Sequence, residues 1–282
     1  LSGILGSPKS IITIAAMPLI TYYFSSKNAL MAFLYMLLLG GGLFIGNFIA
    51  MSFSPKLIAK YSTRTLYNGS NLLCIVPYIL IFVAYLISPS GLTNPAWVAA
   101  YFVLFTFAGG CGGVTTVLST TMIAKSVDYE EYVNHRRPDG IFFSGMTFIA
   151  KLTGGIATII SGVAYAIVGF SDSRIQELNA YIAAGGTPRL VGEYGSFMMI
   201  LFFIVSVLPA IGCILAVIPT WRYCLDNNEH LRIVAVLHAR RDAADHGITL
   251  TKEEEENIRI VDGEIVGLPV FTSGGDGEKP QE

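Results

Sequence analysis

The sequence predicts an all-α membrane protein of six transmembrane helices with a polar tail, and three observations predict it. Hydrophobic residues make up 53% of the 282 residues and charged residues only 13%, against roughly 25% charged in a soluble domain. The mean hydropathy is +0.59. The charge is also segregated: residues 1–220 carry it only in short stretches, whereas residues 221–282 mix Arg, Asp, Glu and Lys densely. An apolar body of residues 1–222 is therefore expected to precede a tail, 223–282.

A helix crossing the hydrocarbon core needs about 20 mostly apolar residues. Six runs meet or approach that length. The first spans about Ile4 to Phe24, interrupted by Pro8, Lys9 and Pro18. The next are Leu30 to Phe53, Leu72 to Ile87 (short, so flanking residues should extend it), Trp97 to Ala124, Ile141 to Phe170 around Lys151, and Phe197 to Trp221. The runs are too long for strands and do not alternate, and backbone in lipid must satisfy its own hydrogen bonds. The chain opens on Leu1 with no charged segment and small-residue cleavage site before the first run, so that run does not read as a signal peptide. An N-terminal part is expected to be missing.

Orientation follows from Lys and Arg near the ends of the spans. The connections at 54–71 (Lys56, Lys60, Arg64) and 125–140 (Lys125, Arg136, Arg137), with Arg222 opening the tail, are expected on one side. The other side has Lys27, nothing basic in 88–96, and Arg174 with Arg189 in a longer loop. This bias puts both termini in the cytoplasm and the protein, multi-pass, in the cell (inner or plasma) membrane.

Other features narrow the chemistry. With a net charge of −2, binding to nucleic acid has no electrostatic support. Cys74, Cys111, Cys213 and Cys224 lack metal-ligand spacing, the first three lie in apolar runs, and all read as small hydrophobes. No cofactor or metal is expected. No His/Glu metal motif or Ser/His pairing lies in the spans, so the protein is not expected to be an enzyme. Gly40–Gly42 with Gly46, Gly109–Gly113, and Gly154, Gly155 and Gly162 place small residues on three spans. They read either as tight packing or as helices that slide and bend in a conformational cycle.

The densest charge before the tail lies between two apolar runs, from Lys125 to Ile141. Asp128, Glu131, Arg136, Arg137 and Asp139 can pair across a helix–loop–helix junction, closing one face of a transporter and separating when it opens. The alternative is a solvated loop that obeys the positive-inside rule.

Asp128-Tyr129-Glu130-Glu131-Tyr132, then Arg136-Arg137 and Asp139-Gly140-Ile141, resembles the signature of the glycoside–pentoside–hexuronide:cation symporters, the melibiose permease-like branch of the major facilitator superfamily. Tyr22-Tyr23-Phe24, Ser62-Thr63-Arg64-Thr65-Leu66, Ser144, Lys151 and the Arg222–Asp226 stretch followed by His230, Arg240 and Arg241 are similar to further family positions in the same order. The chain departs at Lys125, where the family often has Asp, at His135, where a glycine usually stands, and at Pro138.

The resemblance implies one half of a major-facilitator fold, equivalent to helices 7–12. It also implies a missing N-terminal six-helix half that supplies the aspartates binding the coupling cation, Na⁺ or H⁺, and much of the sugar site. Lys151 lies about ten residues inside its span. A lysine there is costly unless it snorkels, pairs within the bundle or meets water, and the resemblance implies a cationic group near the coupling-ion site. Tyr22, Tyr23, Thr116, Thr120 and Ser144 are candidates for a sugar path, with core or interfacial placement as the alternative for the tyrosines and threonines.

In the tail, Asp226 is expected to cap an amphipathic helix to about Arg241, with Leu231, Val234, Leu237 and His238 on one face. The Glu253–Glu256 run reads as a solvated helix start or disordered, and residues 271–282 as disordered. The leading function is import of a sugar or glycoside with Na⁺ or H⁺ by alternating access. A lysolipid or other non-sugar transporter of the same fold, and a non-transporting membrane scaffold or sensor, are the competing readings.

Overall fold

The computed structural model describes residues 1–25, 28–167, 172–223, 225, 227–261 and 263–269. The expectations attached to Lys27, Phe170, Cys224, the Asp226 cap and residues 271–282 lie outside them.

The first apolar run is helical but not one continuous helix. It comprises α1 (Ser2–Leu5), a 3₁₀ turn at Ser7–Ser10, α2 (Ile11–Leu19) and a π turn at Ile20–Phe24. Proline lacks an amide hydrogen and crowds the preceding turn; Pro8 stands in the 3₁₀ turn and Pro18 inside α2. Among the described residues, five other helices are long and apolar enough to cross a membrane. The first is Ala29–Lys60, made of α3 (Ala29–Tyr35), a π turn at Met36–Gly40 and α4 (Gly41–Lys60). It starts at Asn28, whose side chain accepts from the amides of Leu30 and Met31, the standard N-cap arrangement. The other four are α5 (Thr63–Ile87), α6 (Pro95–Asn134), α7 (Asp139–Ile167) and α9 (Gly195–Thr220), and the short α8 (Asp172–Ala183) precedes α9.

Several expected loops are helix. The 54–71 connection shrinks to residues 61–62, because α4 carries Lys56 and Lys60 and α5 carries Arg64. The 125–140 connection shrinks to 135–138, because α6 continues ten residues beyond its apolar part. Arg174 lies on α8. Hydropathy marks only what sits in hydrocarbon, whereas a helix continues wherever its residues tolerate the conformation.

Two compact units divide the chain, with α6 and α7 passing through both. Unit 1 comprises Leu1–Thr120 and Ser144–Tyr223. Its core is aromatic. Tyr23 is fully buried, its ring edge-on to Phe202 at 4.9 Å, and Tyr85 stacks on Phe202 at 4.3 Å. Cys74, Cys111 and Cys213 are buried and free.

The glycines separate into two groups. A Cβ at Gly46 would overlap the Thr106 carbonyl oxygen, and one at Gly109 that of Leu43. Gly113 meets Asn47 in the same way, so α4 and α6 touch backbone to backbone. Gly154, Gly155 and Gly162 on α7 face open space, so packing within this chain does not explain them.

Unit 2 comprises Thr121–Phe143 and Cys224–Glu282. It joins the end of α6 and the start of α7 to α10 (Asn227–Asp245), α11 (Lys252–Asn257) and an antiparallel hairpin, β1 (Arg259–Val261) with β2 (Glu264–Val266). The expectation of a mostly disordered chain after about 241 is thus corrected over Lys252–Asn257, Arg259–Val261 and Glu264–Val266. Thr251 and Glu254 form a reciprocal capping box that starts α11. The buried face of α10 also differs from the expected one. Ile233, Val236 and Leu237 are buried, whereas Leu231 and His238 are exposed. Val236 and Ala239 pack with Ile258, and Tyr132 and Leu250 lie against them.

A candidate gate cluster and an intramembrane lysine

The charged junction is organised around Arg137. α6 ends at Asn134, and His135 takes a left-handed φ of 53°. Its amide still bonds the Glu131 carbonyl at 2.9 Å. This reversal after the last helical residue is where glycine is favoured. Pro138 then leads into α7, whose first turn carries Asp139, a sign that suits a helix N-terminus.

The chain reversal brings four of the five expected gate residues together. Arg137 Nε donates to Asp139 Oδ2 at 2.9 Å, and its Nη1 donates to Glu131 Oε2 at 2.9 Å and lies 3.4 Å from Asp128 Oδ1. Asp139 and then Glu131 hold the Arg137 guanidinium above its ordinary pKa. Arg136 is exposed and forms no ion pair among the described residues. Asp128 and Glu131, three residues apart, share one face of α6, and the reversal at His135 brings Arg137 onto that face.

Two cluster members were not among the expected site residues. His230 Nε2 lies 3.0 Å from Asp128 Oδ2, and Arg241 Nη2 donates to Glu131 Oε1 at 2.7 Å. Both lie on α10. Their match to the family's tail segment was the only signal in the sequence. Lys125 is another. It is only 5% exposed and donates to Asn227 Oδ1 at 2.7 Å at the start of α10. Arg240 adds a second layer: its Nε and Nη2 donate to the two Glu255 carboxylate oxygens at 2.6 and 2.8 Å, and its Nη1 to the Tyr132 carbonyl at 2.9 Å. The guanidinium also lies 5.1 Å from the centroid of the Tyr132 ring, within cation–π range.

The remaining candidates lie in unit 1. Lys151 is exposed on α7, twelve residues after its start, which is roughly 18 Å along the helix. It forms no ion pair among the described residues, so the bundle-internal pair considered above is not the arrangement present. Ser144 is exposed on the same helix. Thr116 and Thr120 are exposed on α6, and their hydroxyls donate to the main-chain carbonyls of Gly112 and Thr116, at 2.9 and 3.3 Å. Tyr22 is partly buried, its hydroxyl 3.5 Å from Asn179 Oδ1. Tyr23 is a core residue whose hydroxyl donates to the Pro89 carbonyl at 2.7 Å.

Comparison with known proteins agrees with this architecture. The family described as MFS/sugar transport protein matches residues 10–227. Over 223 residues the chain is 23% identical to the uncharacterized symporter YjmB of Bacillus subtilis (strain 168). That match covers 77% of this chain and 42% of the relative, so the chain spans less than half of that protein's length. No solved structure matches. The helical first run, five long apolar helices among the described residues and a family match over most of the chain lead to one assignment: the chain is a multi-pass membrane protein that belongs to the MFS/sugar transport protein family.

Proposed function

We propose that this chain forms one six-helix half, equivalent to helices 7–12, of a symporter that imports a sugar or glycoside with Na⁺ or H⁺ by alternating access. The broken first run serves as the sixth span. The protein resides in the cell (inner or plasma) membrane, with both ends of this chain cytoplasmic. The placement of Lys56, Lys60, Arg64, Arg136 and Arg137 near alternate helix ends supports that orientation.

The observation that carries the reading is Lys151. A lysine held well inside an apolar helix without an ion pair needs a counter-charge from elsewhere. No Asp or Glu precedes Asp128 in the sequence, so the membrane body of this half has few carboxylates to offer. Lys151 therefore faces carboxylates of a counterpart half, which bind most of the coupling ion. The open glycines of α7 let that half approach closely. Binding of Na⁺ or H⁺ to those carboxylates releases Lys151 from them, which couples ion occupancy to the opening of one face.

The Arg137 cluster is the cytoplasmic gate. Asp128, Glu131 and Asp139 converge on one guanidinium, and a group of this kind has a paired and a separated state. His230 and Arg241 tie the tail helix to it. Tyr22, Thr116, Thr120 and Ser144 are the residues of this half nearest in character to a sugar path. Tyr23 positions Tyr22 from the core.

The test is uptake of labelled glycosides into proteoliposomes holding this chain together with its counterpart half, under an imposed Na⁺ or H⁺ gradient. Accumulation driven by one of the two gradients is expected. Gradient-independent equilibration of every sugar overturns the proposal.

A further inference from the structure

The two arginines of the gate cluster hold more hydrogen-bond donors than the cluster uses. Glu131 lies between them: its Oε2 accepts from Arg137 Nη1 at 2.9 Å and its Oε1 from Arg241 Nη2 at 2.7 Å. A guanidinium carries five N–H donors in a fixed fork. Arg137 also gives its Nε to Asp139, which leaves its Nη2 without a partner among the described residues. Arg241 makes no other hydrogen bond or ion pair there, so its Nε and Nη1 are unused.

Both side chains border a cavity of about 200 Å³ inside unit 2, whose other walls are Asp128, Val234, Leu237 and His238. Arg137 comes from the turn between α6 and α7. His238 and Arg241 come from α10, three residues apart and therefore neighbours on one helix face, and His238 is exposed. At about 30 Å³ for each molecule of liquid water, the cavity has room for on the order of six water-sized groups. Asp128 is the one carboxylate in the lining among the described residues, and both of its oxygens are engaged. Oδ2 lies 3.0 Å from His230 Nε2, and Oδ1 lies 3.4 Å from Arg137 Nη1. A further carboxylate would repeat what Glu131 already supplies, two oxygens in one plane. The oxygens of a tetrahedral oxyanion point in several directions, so one of them can meet each fork and another the His238 ring. Phosphate has that shape and close to two negative charges near neutral pH, and arginine pairs with it through two parallel hydrogen bonds.

We propose that this cavity binds one phosphate group, free or as the head of a small phosphate ester, with Arg137 and Arg241 donating to its oxygens and His238 beside it. A phosphate held there bridges the two arginines alongside Glu131 and so favours the paired state of the cluster. That consequence rests on the gate reading above, whereas the binding does not.

The experiment follows hydrogen exchange in the full chain in non-ionic detergent, with inorganic phosphate, with glycerol 3-phosphate, or with chloride at equal ionic strength. Exchange across residues 231–241 is expected to slow roughly fivefold once either phosphate exceeds its Kd several-fold, and to stay unchanged in chloride. Arg241→Gln should remove the response. Val234→Phe, which fills the cavity and keeps both arginines, should remove it as well, whereas Arg136→Gln, outside the lining, should keep it. Greater slowing by glycerol 3-phosphate assigns the site to esters, greater slowing by inorganic phosphate assigns it to the free ion, and equal slowing shows that the phosphate group alone is recognised. No slowing by either phosphate, equal slowing in chloride, or an undiminished response in Arg241→Gln or in Val234→Phe overturns the proposal. In the complete transporter, the phosphate that slows exchange should also lower, several-fold, the labelling of a cysteine introduced near the Arg137 side. Slowed exchange without that drop contradicts the gate reading and leaves the binding site standing.

Discussion

Arg240 grips Glu255 with two parallel hydrogen bonds, Nε to Oε1 at 2.6 Å and Nη2 to Oε2 at 2.8 Å. The pair joins α11 to α10, and the Arg240 guanidinium also covers Tyr132 near the end of α6. Such fork-to-fork pairs are stronger and more directional than single contacts.

Arg240 holds the Glu255 carboxyl below its ordinary pKa by hydrogen bonding, against an opposing push from burial. A depressed folded-state value means the pair stabilises fully above the unfolded glutamate value, and the contribution is lost as pH falls through the folded one. Hydrogen exchange over residues 246–261 should therefore quicken below about pH 4.5, near the ordinary glutamate value. In Glu255→Gln it should already be fast at pH 7, with no such acid step. The expected coupling from an Arg240→Ala, Glu255→Ala double-mutant cycle is on the order of 1 kcal/mol.

Glu131 shares its carboxylate between Arg137 and Arg241, at 2.9 and 2.7 Å. Glu131→Ala leaves both cations without that partner, and if the cluster closes one face, the equilibrium shifts toward the state open on the Arg137 side. Labelling of a cysteine introduced near that face should rise several-fold in Glu131→Ala, and Arg136→Ala, outside the cluster, should leave it unchanged. Equal labelling in the two variants contradicts the gate assignment.

His135 occupies a left-handed conformation that L side chains adopt at a cost of roughly 1–2 kcal/mol. His135→Gly removes that cost and loses some of the gain to the greater freedom of glycine in the unfolded chain. A net stabilisation of about 0.5–1 kcal/mol is expected, read as a higher thermal midpoint in detergent.

Gly46 has no room for a Cβ against the Thr106 carbonyl, whereas Gly155 faces open space. Gly46→Leu should abolish folded, monodisperse protein. Gly155→Leu should fold normally and interfere only where the counterpart half docks, so it should lower transport while leaving expression unaltered.

These glycines also show how far the sequence could be read. Gly46, Gly109 and Gly155 look alike in a string of small residues, and only the partner helix decides which of them is crowded. The apolar runs were legible because hydrocarbon enforces their length. Their ends were not, because the residues from Lys125 to Asn134 continue α6 at no cost in water. The first run was legible as helical, but its changes of helix type at Ser7–Ser10 and Ile20–Phe24 were not. Within the gate cluster, Asp128, Glu131, Arg137 and Asp139 lie close in sequence and could be grouped from it. His230 and Arg241 join them only because α10 folds back some hundred residues later, with Ile233, Val236 and Leu237 as its buried face. Small offsets decide which residues share that face, and Leu231 and His238 fall off it.

Lys151 bears the central claim, since it is the intramembrane cation whose counter-charge is assigned to the counterpart half. The direct measurement is sugar accumulation by the complete transporter under a cation gradient, comparing Lys151→Val with the unaltered protein at equal expression. Gradient-driven accumulation should be lost in Lys151→Val, while the variant still yields folded, monodisperse protein. Accumulation at the unaltered level would contradict the account.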